Sequence, residues 1–158
     1  MVKNAGRKNR GFSLLELVIV VTNIGILAAN SIPRMSRGSA GASDTALTGD
    51  LAVLRNAIDM FAAEHGGTFP TAVDIEKQLT QYTDLKGTPN ATKTTTYFYG
   101  PYIRKVPPLP VGAMKGNTKI AKKTAADVGW IYTAKTGEIR SNTTTREKDA
   151  AGTLYRDY

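Results

Sequence analysis

The 158-residue sequence has no cysteine, so neither a disulfide framework nor a thiolate metal site can be built from it. Histidine is nearly absent as well. His65 stands alone, which leaves no histidine pair for zinc and little material for a nucleophile, base and orienting group. Acids are missing from the first eleven positions, where Lys3, Arg7, Lys8 and Arg10 supply four positive charges. Without that segment 17 basic residues face 13 acidic ones, so half of the formal net charge of +8 belongs to the first eleven residues. The balance left over is too small to argue for a nucleic-acid partner.

What the sequence does have is one long apolar run. Residues 12–32, FSLLELVIVVTNIGILAANSI, carry a single charge, Glu16. Twenty-one residues at about 1.5 Å each make about 31 Å of helix, close to the ~30 Å of a bilayer's hydrocarbon core. The basic flank predicts that the N-terminal side stays in the cytoplasm and the rest lies outside. A plain anchor, a cleaved signal peptide ending near Ala29-Asn30-Ser31, and a buried soluble helix all explain part of this pattern. None explains Glu16. A carboxylate in a membrane span costs roughly 2.5–3.5 kcal/mol near the bilayer centre and marks a functional site.

The segment Gly11-Phe12-Ser13-Leu14-Leu15-Glu16, between a basic leader and an apolar helix, resembles the processing site of type IV prepilins and type II secretion pseudopilins. The resemblance implies cleavage between Gly11 and Phe12 by a prepilin peptidase, N-methylation of Phe12, and a role for Glu16 in assembly. Its carboxylate would pair with the Phe12 ammonium, because an unpaired buried charge is far costlier than a paired one. Gly25 and Pro33 fall where many family members carry glycine and proline. Proline removes a helical hydrogen bond and glycine lowers propensity, so the helix is expected to kink there and to melt in part within a filament.

Further along, residues 34–43 are rich in small residues, and helix there is uncertain. Leu47, Leu51, Leu54, Ile58 and Phe61 then form a helical stripe, with Asp44 as N-cap or first-turn residue and Gly66-Gly67 as the stop. Arg55, Asp59 and Glu64 fall off the stripe. A short helix is expected over 71–84, capped by Thr71 with Asp74 three residues on. Residues 88–96 read as a loop, and Val106-Pro107-Pro108-Leu109-Pro110 cannot be a central strand. Residues 118–121 form a candidate strand; 130–133 and 138–141 form a candidate hairpin across Ala134-Lys135-Thr136-Gly137. The tail, 143–158, lacks periodicity and is expected to be mobile. Asn90-Ala91-Thr92 and Asn142-Thr143-Thr144 match the glycosylation sequon.

The fold class expected is α+β: a long N-terminal helix, membrane-spanning in its first half, packed on a small C-terminal antiparallel sheet. Its parts are a leader (1–11), a membrane or filament-core helix (12–33), an amphipathic continuation (34–65) and a head with a flexible tail (66–158). The order of Gly100-Pro101-Tyr102, prolines, Trp130 and a Thr-Gly hairpin resembles major pseudopilins of type II secretion. That resemblance implies an acidic calcium loop near the C-terminus, but Asp127, Glu138, Glu147 and Asp149 are scattered, so neither a metal nor another cofactor is expected. It also implies a non-enzymatic subunit of a helical homo-oligomer, resident in membrane lipid of the inner membrane before assembly into a periplasmic or surface filament. The partners implied are the peptidase, a platform protein and, indirectly, an assembly ATPase. The alternative is a DNA-uptake or adhesive pilin using Lys115, Lys119, Lys122 and Lys123 on phosphates. Lysines of this kind more often keep a strand edge soluble, so nucleic acid is not the expected partner.

Overall fold

The computed structural model describes residues 12–158, and of residues 29–40 the backbone alone. The chain forms two compact units, the first ending at Ser39 and the second running from Ala40 to Tyr158. Helix α1 covers Leu14–Glu64, including the stretch around Gly38 and Gly41 that its composition left uncertain. Two glycines cost about 1 kcal/mol each against alanine, and the good helix formers on both sides outweigh that. Asp44 is consequently an interior helical residue, not a cap. The helix stops as expected at two glycines with φ of 65° and 83°, a left-handed region that other residues avoid. The Gly67 N–H there closes the last turn onto the Ala62 carbonyl at 2.8 Å.

In the first unit, the leader 1–11 lies outside the described residues, as does the Pro33 side chain. Apart from Ser13, Glu16, Thr22 and Asn23, the described side chains from Phe12 to Ile24 are large and apolar, lie on every side of the helix and are 46–83% exposed. Among the described residues no helix is long and apolar enough to cross a membrane. The side chains of residues 29–33, the last part of the expected span 12–33, lie outside the described residues.

The second unit is built on the α1 stripe. Leu47, Leu51, Leu54 and Ile58 are 0–1% exposed and Phe61 2%. They lie in one core with residues of a three-stranded sheet of β3 (Lys119–Ala121), β4 (Val128–Thr133) and β5 (Glu138–Ser141). The β4–β5 hairpin turns over residues 134–137, with Trp130 opposite Ser141 and Tyr132 opposite Ile139. In contrast to the antiparallel expectation, β3 runs parallel to β4, with a bulge between Lys119 and Ile120. The close approach of Gly129 to the preceding loop accompanies this arrangement, since a Cβ there would lie 2.1 Å from the Asn117 carbonyl oxygen.

Helix α2 (Ile75–Thr80) is much shorter than the 71–84 expected. The Thr71 hydroxyl accepts the Asp74 N–H at 3.2 Å and closes a turn ahead of the helix instead of capping it. Gln78 accepts the Thr71 N–H and donates to the Gly87 carbonyl, both at 2.8 Å. The chain then enters β1 (Tyr82–Thr83), which pairs with β2 (Pro89–Asn90) inside the stretch expected to be a loop. The proline-rich stretch forms no strand, yet it buries Val106 and Leu109 in the core. Its Pro107 carbonyl accepts the indole N–H of fully buried Trp130 at 2.9 Å.

Two alanine substitutions have opposite signs. Gly129→Ala forces Cβ into the Asn117 carbonyl, and overpacking of this kind costs roughly 1–3 kcal/mol. Gly49→Ala meets nothing within 4 Å, and it gains about 1 kcal/mol of helix propensity. Urea titrations followed by Trp130 fluorescence measure both; equal midpoints would refute the packing described.

Candidate functional site

The first candidate site is the start of α1. The Leu17 N–H donates to the Ser13 carbonyl at 3.1 Å, the first bond of the helix, which makes Ser13 its N-cap. The Glu16 carboxylate reaches back to the Ser13 N–H at 3.5 Å. This is one half of a capping box, Ser-x-x-Glu, a local signal that sequence reading overlooked in favour of the charge. It aims the carboxylate at the N-terminal end of the helix, beside Phe12, which is 79% exposed. Gly11, the other half of the expected cleavage site, lies outside the described residues. The Thr22 hydroxyl donates to the Val18 and Ile19 carbonyls, each at 2.9 Å, so it presents no free donor to apolar surroundings. Gly25 is helical, and a Cβ there would meet nothing within 4 Å, so this conformation does not require glycine.

In the second unit the charged candidates are dispersed. Lys115, Lys119, Lys122 and Lys123 are all exposed, and Lys119 is paired with Asp127 at 2.6 Å. Glu64 accepts the Tyr102 hydroxyl at 2.6 Å. His65 is 7% exposed and stacked on Phe61 with ring centroids 3.9 Å apart. Its Nδ1 faces the Phe61 carbonyl at 2.7 Å and its Nε2 the Asp84 carbonyl at 2.9 Å. The Thr83 hydroxyl also lies 3.1 Å from Nε2, so the ring is held within the fold from both ends. The Asn142 sequon is closed in the folded head: the amide is 4% exposed and donates to the Ala125 and Val128 carbonyls at 3.1 and 2.7 Å. Asn90 accepts the Thr92 N–H at 2.8 Å in a surface turn.

The segment expected to be a mobile tail is tied down by side chains that periodicity does not reveal. Glu147 accepts the N–H groups of Ala113 and Thr144, each at 2.5 Å. Asp149 accepts those of Ala151 and Thr153 at 2.9 and 2.8 Å, together with the Tyr158 hydroxyl. The Tyr155 hydroxyl donates to Asp44 on α1 at 2.8 Å. Ser141 of β5 donates to the Tyr155 carbonyl at 2.8 Å, and a short 3-10 turn, Tyr155–Asp157, finishes the segment.

These bonds bias protonation in both directions. The Thr144 N–H holds the Glu147 carboxyl below its usual range, and the Tyr158 hydroxyl does the same for Asp149. Burial, reinforced by Asp44, pushes Tyr155 up to about 12, and the bond to Asp149 pushes Tyr158 up to about 12. A lowered carboxyl stabilises the fold above its ordinary value of about 4 and loses that contribution as pH falls through the folded value. A raised tyrosine contributes fully below its ordinary value of about 10 and loses it as pH rises towards 12. The urea midpoint should therefore be flat between about pH 5 and 9 and fall on both sides. A midpoint unchanged down to pH 3 would mean that Glu147 and Asp149 contribute nothing.

Comparison with known proteins gives one consistent result. The chain is 30% identical over 106 residues to the type II secretion system core protein G of Vibrio cholerae serotype O1, covering 67% of this chain and 68% of the relative. It is 31% identical over 107 residues to the protein of the same name in Klebsiella pneumoniae, covering 68% and 72%. For that of Escherichia coli K12 the figure is 30% over 105 residues, covering 66% and 68%. No family model matches the chain, and no solved structure is significantly similar to it.

Proposed function

The chain belongs to the family of the type II secretion system core protein G, and from that premise we propose that it is the repeating structural subunit of a secretion pseudopilus. One observation carries the reading. From Phe12 to Ile24 the first unit presents large apolar side chains on every face, interrupted by the single carboxylate of Glu16. Apolar surface of that extent marks a membrane or protein-association site. Repeated packing of one subunit by a non-closing screw operation makes a filament.

In this reading the precursor is held in the inner membrane by residues 12–33, with the leader in the cytoplasm and the head outside. Prepilin peptidase cuts between Gly11 and Phe12, and Phe12 is N-methylated. The new ammonium then meets the Glu16 carboxylate, which the capping geometry already turns towards that end of the helix. Gly25 and Pro33 are the positions where the helix can yield as subunits leave lipid for the periplasmic filament. A platform protein and an assembly ATPase drive that transfer; the chain itself performs no chemistry. Its one histidine is engaged with main-chain carbonyls.

Two measurements test the proposal. Mass spectrometry of protein from its native host should show a mature chain beginning at N-methyl-Phe12, and a terminus at Ile32 would establish signal-peptide cleavage instead. Glu16→Ala should leave membrane insertion intact or improved, by about 2 kcal/mol on the insertion scale discounted for depth. The same change should cut filament yield, because a buried ammonium without its partner costs roughly 3–5 kcal/mol. Normal filament yield from the variant would end the pairing mechanism.

A further inference from the structure

We infer that residues 143–158 are fastened to the head by the chain's own carboxylates and take no divalent cation. The inference concerns the head alone and stands apart from filament assembly. The resemblance to major pseudopilins implies a calcium loop here, so the donors must be judged by their chemistry. A calcium ion collects six to eight oxygen ligands, several of them carboxylates converging on one point. The acids of this region do not converge. Asp127 lies against the Lys119 ammonium, and Glu138 is exposed at the start of β5. Among the described residues no three acidic or histidine side chains come together as a metal would need.

Of the three acids of the segment, Asp157 lies against the Arg156 guanidinium at 3.5 Å, and Glu147 and Asp149 are each surrounded by hydrogen-bond donors. Both Glu147 oxygens accept main-chain N–H groups, one from Ala113 and one from Thr144. Asp149 accepts two N–H groups on one oxygen and the Tyr158 hydroxyl on the other. Donors aimed at a carboxylate compensate its charge in the way a cation would, and they surround it with positive dipole ends that repel one. The backbone is shaped for this. Gly112 has φ of 74°, and a Cβ there would lie 2.7 Å from Glu147 Oε1. A side chain at position 112 would therefore push into the carboxylate that the next N–H is bonding. Hydrogen bonds here join the segment to its own turn, to the 112–113 loop and, through Tyr155 and Asp44, to α1. That leaves no fastening role for an ion.

The test uses the full chain in mild detergent. Thermal melts followed by Trp130 fluorescence are recorded in millimolar calcium and in EGTA, and terbium is titrated as a luminescent calcium surrogate beside Tyr155 and Tyr158. We expect equal midpoints in the two buffers and no saturable tyrosine-sensitised emission. Glu147→Gln and Asp149→Asn should lower the midpoint by the same amount with and without calcium. A calcium-dependent rise of about 4 °C or more overturns the inference. So does emission that saturates at one terbium per chain and vanishes in Asp149→Asn. The two wild-type measurements decide the matter even if a variant does not fold.

Discussion

Everything in the head rests on one seam, the stripe of α1 that runs from Leu47 to Phe61. A helix turns the same face to its neighbour every three or four residues, and here that face is fully covered. Trp130, Tyr132 and Ile139 meet it from the sheet, and Val106, Leu109 and Val111 from the proline-rich stretch. The remaining parts are fitted around that contact. A head without cysteine has no covalent tie to fall back on, so its rigidity must come from packing and satisfied polar groups. The described side chains meet that demand: none of their buried nitrogen or oxygen atoms lacks a partner.

The same helix carries two different patterns along its length. In the head its apolar residues form a stripe; from Phe12 to Ile24 they occupy every face. A stripe is completed by one sheet. An all-round apolar surface is the pattern of a helix covered on all sides, and this difference, more than the net charge, separates the globular part of the protein from the start of α1.

Much of this was legible in the sequence because the signals were periodic or punctuated. The stripe, the Gly66-Gly67 stop and the β4–β5 hairpin follow from spacing and turn residues. The motif around Gly11, Phe12 and Glu16 was legible as a pattern of residue types, and the capping contact between Ser13 and Glu16 adds a geometry to it. What stayed hidden depends on tertiary partners. Gln78 of the short helix α2 ties Thr71 to Gly87, and β3 is parallel to its neighbour although nothing local dictates its direction. The fastening of residues 143–158 has no period at all, since it is made by Glu147, Asp149, Tyr155 and Tyr158 reaching individual donors and acceptors.

The bond between Tyr155 and Asp44 spans 111 residues, and that between Tyr132 and the Pro70 carbonyl spans 62. Contacts of such separation form late, since the entropy of closing a long loop must be met before the contact rewards it. The stripe on α1 is synthesised early, but every surface that covers it comes after it in the chain. A chain still emerging from the ribosome therefore holds an unfinished core, and it closes its head only once nearly all of it has been made.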